Sequence, residues 1–275
     1  MDPKLNIKFL FIVPTLNAGL NIQKFSQLFL EQKYQQWRVI FIDGGSEKKD
    51  ISFLKKIIDI DERFILVKQS KKFKGIFGAM NQGFNLAKND EFLFFWGTDD
   101  FIYDSNSLNS INMKIIENLK NIEKIDLFIF KARYFNNKSK KFTRFSFFPK
   151  KGRISELIKD YFSFLLFFGF TPPHQSTLFT PVVRKKLSQY SEKYRLSADL
   201  NYFLALSRIV NVSFETLNKE IVIISDSGVS SRRLFERLIN VLIIYFRYYG
   251  IFFIVPFMSR YFFKIYSKFK VFSNS

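Results

Sequence analysis

No cysteine occurs in the chain, and histidine occurs once, as His174. The first absence removes disulfides, zinc-thiolate sites and thiol nucleophiles; the second removes multi-histidine metal sites. Any metal must therefore be held largely by oxygen, which points to Mg2+ or Mn2+. Acidic residues are scarce, 24 against 43 Lys+Arg, and the net charge of +19 should attract phosphates, an anionic membrane or nucleic acid. Neither a Walker-type phosphate loop nor GxGxxG is present, so ATPase and dinucleotide-cofactor readings have no motif behind them. A long N-terminal apolar run is missing too. Phe9–Pro14 is too short for a secretory h-region and stops at proline, so the chain is expected to stay in the cytoplasm.

What is present suits one large domain, or one domain plus a tail, in 275 residues. The 38 Phe accompany abundant Ile, Lys and Asn, a bias that an AT-rich genome also produces, so they carry little functional weight. Lys8–Pro14 reads as a buried strand, Ile22–Gln32 as a helix with Ile22, Phe25, Leu28 and Phe29 on one face, and Trp37–Ile42 as a second strand. Ile51–Ile60 follows as a helix, Phe64–Val67 as a third strand and Phe92–Trp96 as a fourth, with the glycine-spaced segment Gly75–Gly83 between them. This alternation predicts an α/β fold with a mostly parallel sheet and helices on both faces.

Farther on, Leu108–Leu119 reads as a helix, Asp126–Tyr134, Phe142–Phe147 and Leu178–Thr180 as strands, and Ile154–Phe168 as an aromatic helix or membrane-facing loop. Tyr194–Ile209 is helical, and Val212–Leu217 with Ile221–Ile224 forms a hairpin around Asn218-Lys219. No internal repeat or low-complexity linker interrupts the chain.

Polar groups gather at the strand ends: Thr15 and Asn17, Asp43, Asn81, then Asp99 with Asp100. On a parallel sheet these loops meet along one edge, where carboxylates can hydrogen-bond a base or ribose and hold a divalent ion against a diphosphate. Plainer readings stand beside this one. Asp99-Asp100 suits a cap, Asp43-Gly44-Gly45-Ser46 suits a turn, and Asp199 suits the dipole at a helix start. A lone histidine after Pro172-Pro173 is ordinarily structural.

The ordered set Val13-Pro14-Thr15-Leu16-Asn17, Asp43-Gly44-Gly45-Ser46, Gly75-Ile76 with Ala79–Gly83, Gly97-Thr98-Asp99-Asp100, Pro173–Ser176 and Ala198-Asp199 resembles the inverting family 2 glycosyltransferases, bacterial capsule and O-antigen enzymes in particular. That resemblance implies a GT-A, Rossmann-like domain over residues 1–230. It implies nucleotide-sugar contacts from Pro14, Thr15, Asn17, Asp43, Gly75, Asn81, Thr98, Asp99 and His174. It also implies Mn2+ or Mg2+ on Asp99 and Asp100, and Asp199 as catalytic base. Gly97 replaces the first aspartate of the family's Asp-x-Asp motif, and Ala198 precedes Asp199 where an acidic pair is usual. Phe73 and Gly78 stand at positions that are often acidic near the glycine segment. The Gln-x-x-Arg-Trp motif of processive synthases is absent, which favours one sugar per encounter.

Residues 231–275 form an aromatic and basic helical segment, with Arg237, Arg247, Arg260, Lys264, Lys268 and Lys270 among Phe, Tyr and Ile. Such a segment suits a membrane interface, whereas Arg247 in mid-stretch argues against a span; core or oligomer-interface helices are the plain alternative. Ser230-Ser231-Arg232-Arg233 is either a loop whose arginines reach phosphate or a solvated helix start. The expectation is a cytoplasmic, peripheral membrane enzyme moving one sugar from a nucleotide donor, UDP-linked, to a glycan or polyprenyl-diphosphate-linked acceptor in surface polysaccharide or lipopolysaccharide synthesis. Rival readings are a non-catalytic nucleic-acid- or membrane-binding protein, and a nucleotidyltransferase. The lysines are scattered rather than gathered in a tract, so nucleic acid is not expected as a partner.

Overall fold

A computed structural model describes residues 6–19, 21–117, 124–226 and 233–272, with side chains described as far as residue 267. Continuous apolar runs form β1 (Lys8–Thr15), β2 (Trp37–Asp43), β3 (Phe64–Lys68) and β4 (Glu91–Phe95). Their order is β3-β2-β1-β4, all parallel, and the sheet continues through β8 (Thr177–Phe179), β6 (Leu127–Asn136), β9 (Phe214–Ser225) and β5 (Phe101–Ile102), with β7 (Lys141–Phe145) beside β6. β8 runs antiparallel to both β4 and β6, so the parallel half is joined to a mixed half.

Alternation along the strands explains why both faces are covered. Leu10 and Ile12 of β1 enter one core with α3 (Gly75–Leu86), α6 (Tyr161–Phe167) and α8 (Ala198–Ile209). Phe9, Phe11 and Val13 enter the other, with α1 (Asn21–Leu30), α2 (Lys48–Ile58) and α4 (Ser107–Glu117). The expected α/β fold with helices on both faces is therefore present. At Gly83 a Cβ would lie 2.4 Å from Cγ2 of the buried Ile12, so glycine is what lets α3 press onto β1. Gly83→Ala is expected to cost about 1–3 kcal/mol by overpacking, read as a lower urea midpoint at unchanged slope.

Two sequence expectations are corrected. The hairpin around Asn218-Lys219 is absent: Phe214–Ser225 is one strand parallel to β6. Pairing passes from Ile129↔Thr216 to Lys131↔Glu220 and then Ala132↔Val222, so the polar dipeptide marks a bulge rather than a reversal. Arg133 Nε meets Glu220 Oε2 at 2.5 Å and fixes the strand beside it. Ile154–Phe168 is also not one element. Asp160 accepts hydrogen bonds from Ser163 N (3.0 Å) and Oγ (2.6 Å), starting α6 anew after α5 (Arg153–Leu157). Phe162, Leu165 and Leu166 of α6 are buried in the core, so it is no membrane-facing loop. The short α7 (Pro181–Lys186), opened by the Thr180 cap, was not foreseen.

Two C-terminal helices, α9 (Leu234–Tyr249) and α10 (Ile254–Phe272), follow, joined by a 3-10 turn at Gly250–Phe253. Val241, Ile244 and Tyr245 of α9 are buried in the first core. Ser230, Ser231 and Arg232 lie outside the described residues, as do the side chains of Lys268 and Lys270; Arg233 is exposed at the start of α9.

Candidate functional site

β1 pairs with β4 only as far as Ile12↔Phe95, whereas it stays with β2 to Thr15↔Asp43. The carboxyl ends of β1 and β4 thus part at the point where the winding order reverses, the place where open α/β sheets bind ligands. Pro14 suits this split, because its missing N–H falls beyond the last rung with β4.

On the β2 side, Asp43 is buried and its carboxylate accepts from Gly45 N at 3.0 Å and from Ser46 N at 3.1 Å. Asn17 is held at φ 49 by accepting from Glu47 N and donating its own N–H to Ser46 Oγ, both at 2.9 Å. Gly44 N donates to Thr15 O, and Gln69 N donates to Asp43 O, so the ends of β1, β2 and β3 form one rigid rim. The buried Thr15 hydroxyl has no hydrogen-bond partner among the described residues.

On the β4 side the chain turns at Gly97–Asp100. Asp100 is buried and its Oδ2 accepts from Gly97 N at 2.7 Å. Burial, followed by the neighbouring Asp99 charge, pushes its carboxyl up to about 8. Thr98 and Asp99 are half-exposed. The absent motif acid has a steric counterpart here. A Cβ at Gly97 would lie 2.8 Å from Asp99 Oδ1.

The turn His174–Ser176 lies against the end of β4, with Trp96 Nε1 donating to Gln175 O at 2.6 Å. His174 is buried, stacked on Phe95, and its Nε2 is 2.8 Å from the Tyr190 hydroxyl. Burial lowers its pKa to about 4, although the nearby Asp199 charge opposes the shift. His174 is thus neutral at pH 7 and positions its surroundings. Asn81 is likewise committed: its amide donates to Tyr190 O (3.0 Å) and accepts from Tyr190 N (2.6 Å). Gly75, at φ +66, opens α3 with no atom near its missing Cβ. Asp199 is half-buried in the first turn of α8, near enough for its charge to act on His174 and Tyr190.

These contacts bring Thr15, Asn17 and Asp43 to one side of the split and Thr98, Asp99 and Asp100 to the other. His174 links the second set to Asp199, while Asn81 and Gly75 lie in the supporting helix. A cavity of ≈490 Å³ lined by Lys72, Phe73, Tyr190 and Glu192 flanks this cleft but includes none of Asp43, Asp99 and Asp199. Tyr190 was missed from sequence because an isolated Tyr carries no motif.

Because the folded state resists protonating His174 and the unfolded chain does not, the unfolded chain binds more protons between pH 6.5 and 4. Stability is then present above 6.5 and lost as pH falls through that window, by up to about 3 kcal/mol. His174→Gln should flatten this part of the pH dependence of the urea midpoint.

The glycosyl transferase family 2 model matches residues 10–171, which take in the strand-end rims of both sides. The chain belongs to glycosyl transferase family 2. Among relatives, a PGL/p-HBAD biosynthesis glycosyltransferase of Mycobacterium bovis (strain BCG / Pasteur 1173P2) is 28% identical over 101 residues, 36% of this chain and 38% of that protein. The matched part thus spans well under half of that relative's length. The fold of this family 2 member resembles S. aureus TarS 1-349 in complex with UDP-GlcNAc (TM-score 0.63, 16% identity, 87% of this chain and 66% of that one). It also resembles the mannosyltransferase PcManGT of Pyrobaculum calidifontis in complex with GDP-Man and Mn2+ (TM-score 0.60, 14% identity, 90% and 65%). Both likenesses support a GT-A-like fold.

Proposed function

We propose that this family 2 glycosyltransferase moves a single sugar, with inversion, from a UDP-sugar to a glycan on a lipid carrier during bacterial surface polysaccharide assembly. The observation that carries the reading is the split between β1 and β4, with Asp43 on one rim, Asp99 on the other and Asp199 beyond His174. A TarS structure contains UDP-GlcNAc, which supports a uridine donor.

In this reading Pro14, Thr15, Asn17 and Asp43 receive the nucleoside, the unpartnered Thr15 hydroxyl and the Asp43 carboxylate supplying the polar contacts. Gly75, Asn81, Thr98 and His174 shape the floor beneath the sugar. Asp199 takes the proton of the acceptor hydroxyl while its oxygen attacks the anomeric carbon. The bond from that carbon to the phosphate oxygen breaks, and its electron pair leaves with the nucleoside diphosphate. Attack from the far face inverts the centre without a covalent enzyme intermediate.

Asp99 and Asp100 fit a divalent cation by their chemistry: two adjacent carboxylates whose mutual repulsion contributes to the raised Asp100 pKa. No cluster of three acidic, His or Cys groups exists among the described residues, so substrate phosphates would complete the shell, as is usual for Mg2+ and Mn2+. Asp99 is the accessible member; Asp100 also braces the turn. When bound, Mn2+ or Mg2+ would neutralise charge on the departing diphosphate.

The test is nucleoside diphosphate release from a panel of sugar donors with Mn2+ or Mg2+. A protein that neither binds nor turns over any nucleotide-sugar would end the proposal. A nucleotidyltransferase would instead release inorganic diphosphate from a nucleoside triphosphate.

Residues 231–275 are assigned to the cytoplasmic membrane surface. Ile251 (80% exposed), Phe252, Met258, Phe262 and Ile265 present an apolar face to solvent, and arginines flank it. Leu234–Ser267 meets the length and hydropathy of a membrane span, with Arg247 and Arg260 inside it; contact in the interface plane accommodates both arginines. The full chain should float with anionic vesicles, and Phe262→Glu with Ile265→Glu should leave it in the soluble fraction. Equal flotation of that double variant would count against the assignment.

A further inference from the structure

Helix α10 has a second face, turned toward the site. Gly169, at φ +79, stands where a Cβ would lie 2.5 Å from Arg260 N and 2.8 Å from Pro256 O, so glycine lets α10 lie directly on the turn after α6. The Arg260 guanidinium donates to the Thr171 hydroxyl, three residues before His174. Phe263 stacks on Phe170 at 4.3 Å and fixes the rotation of the helix. Arg260 and Lys264, one turn apart, then share the inner face, while Met258, Phe262 and Ile265 face outward.

Arg237 of α9 and Arg144 of β7 adjoin the same place: burial, then the charges of Arg260, Arg237 and Arg144, hold Lys264 well below the usual lysine range. Asp199 is the carboxylate that opposes this shift. Among the described residues none of these four cations has a carboxylate within ion-pair distance. The Nε–H groups of Arg237 and Arg260 are buried without a hydrogen-bond partner. Grouped, half-buried cations with unused donors are costly unless an anion completes them. The Asp199 charge acts on both Arg260 and Lys264, so an anion held by these two lies near Asp199.

We propose that Arg260, Lys264 and Arg237 form a binding site for a phosphate or diphosphate group of the acceptor, placed near Asp199 on the inner side of α10. The proposal rests on the sugar-transfer reading for the meaning of Asp199. The arrangement matches a lipid-linked acceptor: the hydrocarbon stays at the interface under Phe262 and Ile265, the phosphate meets the cations, and the attached glycan reaches the base. A segment outside the family match thereby becomes part of the acceptor site.

The same chemistry would bind the donor's diphosphate, so the experiment uses both. Affinities of the full chain in detergent are measured for farnesyl diphosphate, farnesol, and UDP with Mn2+. Expected is binding of farnesyl diphosphate in preference to farnesol, weakened about tenfold or more by Lys264→Gln and by Arg237→Gln and retained by Lys264→Arg, with UDP affinity unchanged. Arg237→Gln gives an independent reading should the Lys264 variant fold poorly. Unchanged farnesyl diphosphate affinity in both charge-removing variants would overturn the proposal. So would farnesol binding equal to that of its diphosphate, or a matching loss of UDP affinity, which would assign the cations to the donor. Failure of the sugar-transfer reading looks different: the unaltered protein would bind no UDP and release no nucleoside diphosphate from any donor.

Discussion

Asp199→Asn is expected to lower kcat for sugar transfer by about 10²–10⁴-fold, the usual contribution of a positioned general base. Asparagine keeps the size of the side chain and its place in the first turn of α8 but cannot take the acceptor proton. UDP affinity should therefore hold while turnover falls. The competing account is that Asp199 merely complements the helix dipole, which is worth about 0.3–1 kcal/mol of stability and nothing in kcat. The two accounts separate in one experiment: urea midpoint and single-turnover sugar transfer on the same variant. Normal turnover with a slightly lowered midpoint would leave Asp199 as a helix-start residue. The position supports the first account, because Asp199 is half-buried beside a neutral His174 and a cation cluster, whereas dipole-balancing acids ordinarily sit in solvent.

The parallel half of the fold was legible for a physical reason. β1, β2 and β4 are covered on both faces, so they appear in sequence as unbroken apolar runs ending at a turn or carboxylate. Where burial is one-sided or pairing irregular, that signal fails. Asn218-Lys219 has the composition of a hairpin turn, yet the strand passes straight through it, because β6 on one side and β5 on the other give it partners that composition does not reveal. Asp160 splits an aromatic stretch by capping, a choice made by one side chain among many phenylalanines. In the proposed site, Asp43, Asp99 and Asp199 were candidates from motif order alone. The commitments of Asn81 and His174 to Tyr190 could not, since they depend on packing between distant segments. Arg260 and Lys264 were visible only as members of a basic aromatic tail; the close seating of their helix on the turn after α6 follows from the missing Cβ of Gly169.

The second large effect is expected at Asp99. Asp99→Asn should reduce Mn2+-supported turnover by about 10²–10³-fold, because a cation clamp on a leaving diphosphate supplies several kcal/mol of charge stabilisation, at tenfold per 1.36 kcal/mol. It should also abolish the rise in melting temperature that Mn2+ and UDP together produce. Gly97 makes the prediction specific to this chain. Restoring the family's aspartate by Gly97→Asp would add a Cβ 2.8 Å from Asp99 Oδ1 and 3.4 Å from Asp100 Oδ2, displacing the carboxylates that are already there. The added acid should therefore weaken the Mn2+ response, although it increases the count of possible ligands. Gly97→Ala separates the two causes: it carries the steric burden without the charge and should weaken the response in the same direction. Mn2+ titrations of nucleoside diphosphate release for the three variants decide the matter. A Gly97→Asp variant with tighter Mn2+ dependence, or an Asp99→Asn variant with the original dependence, would move the cation away from Asp99.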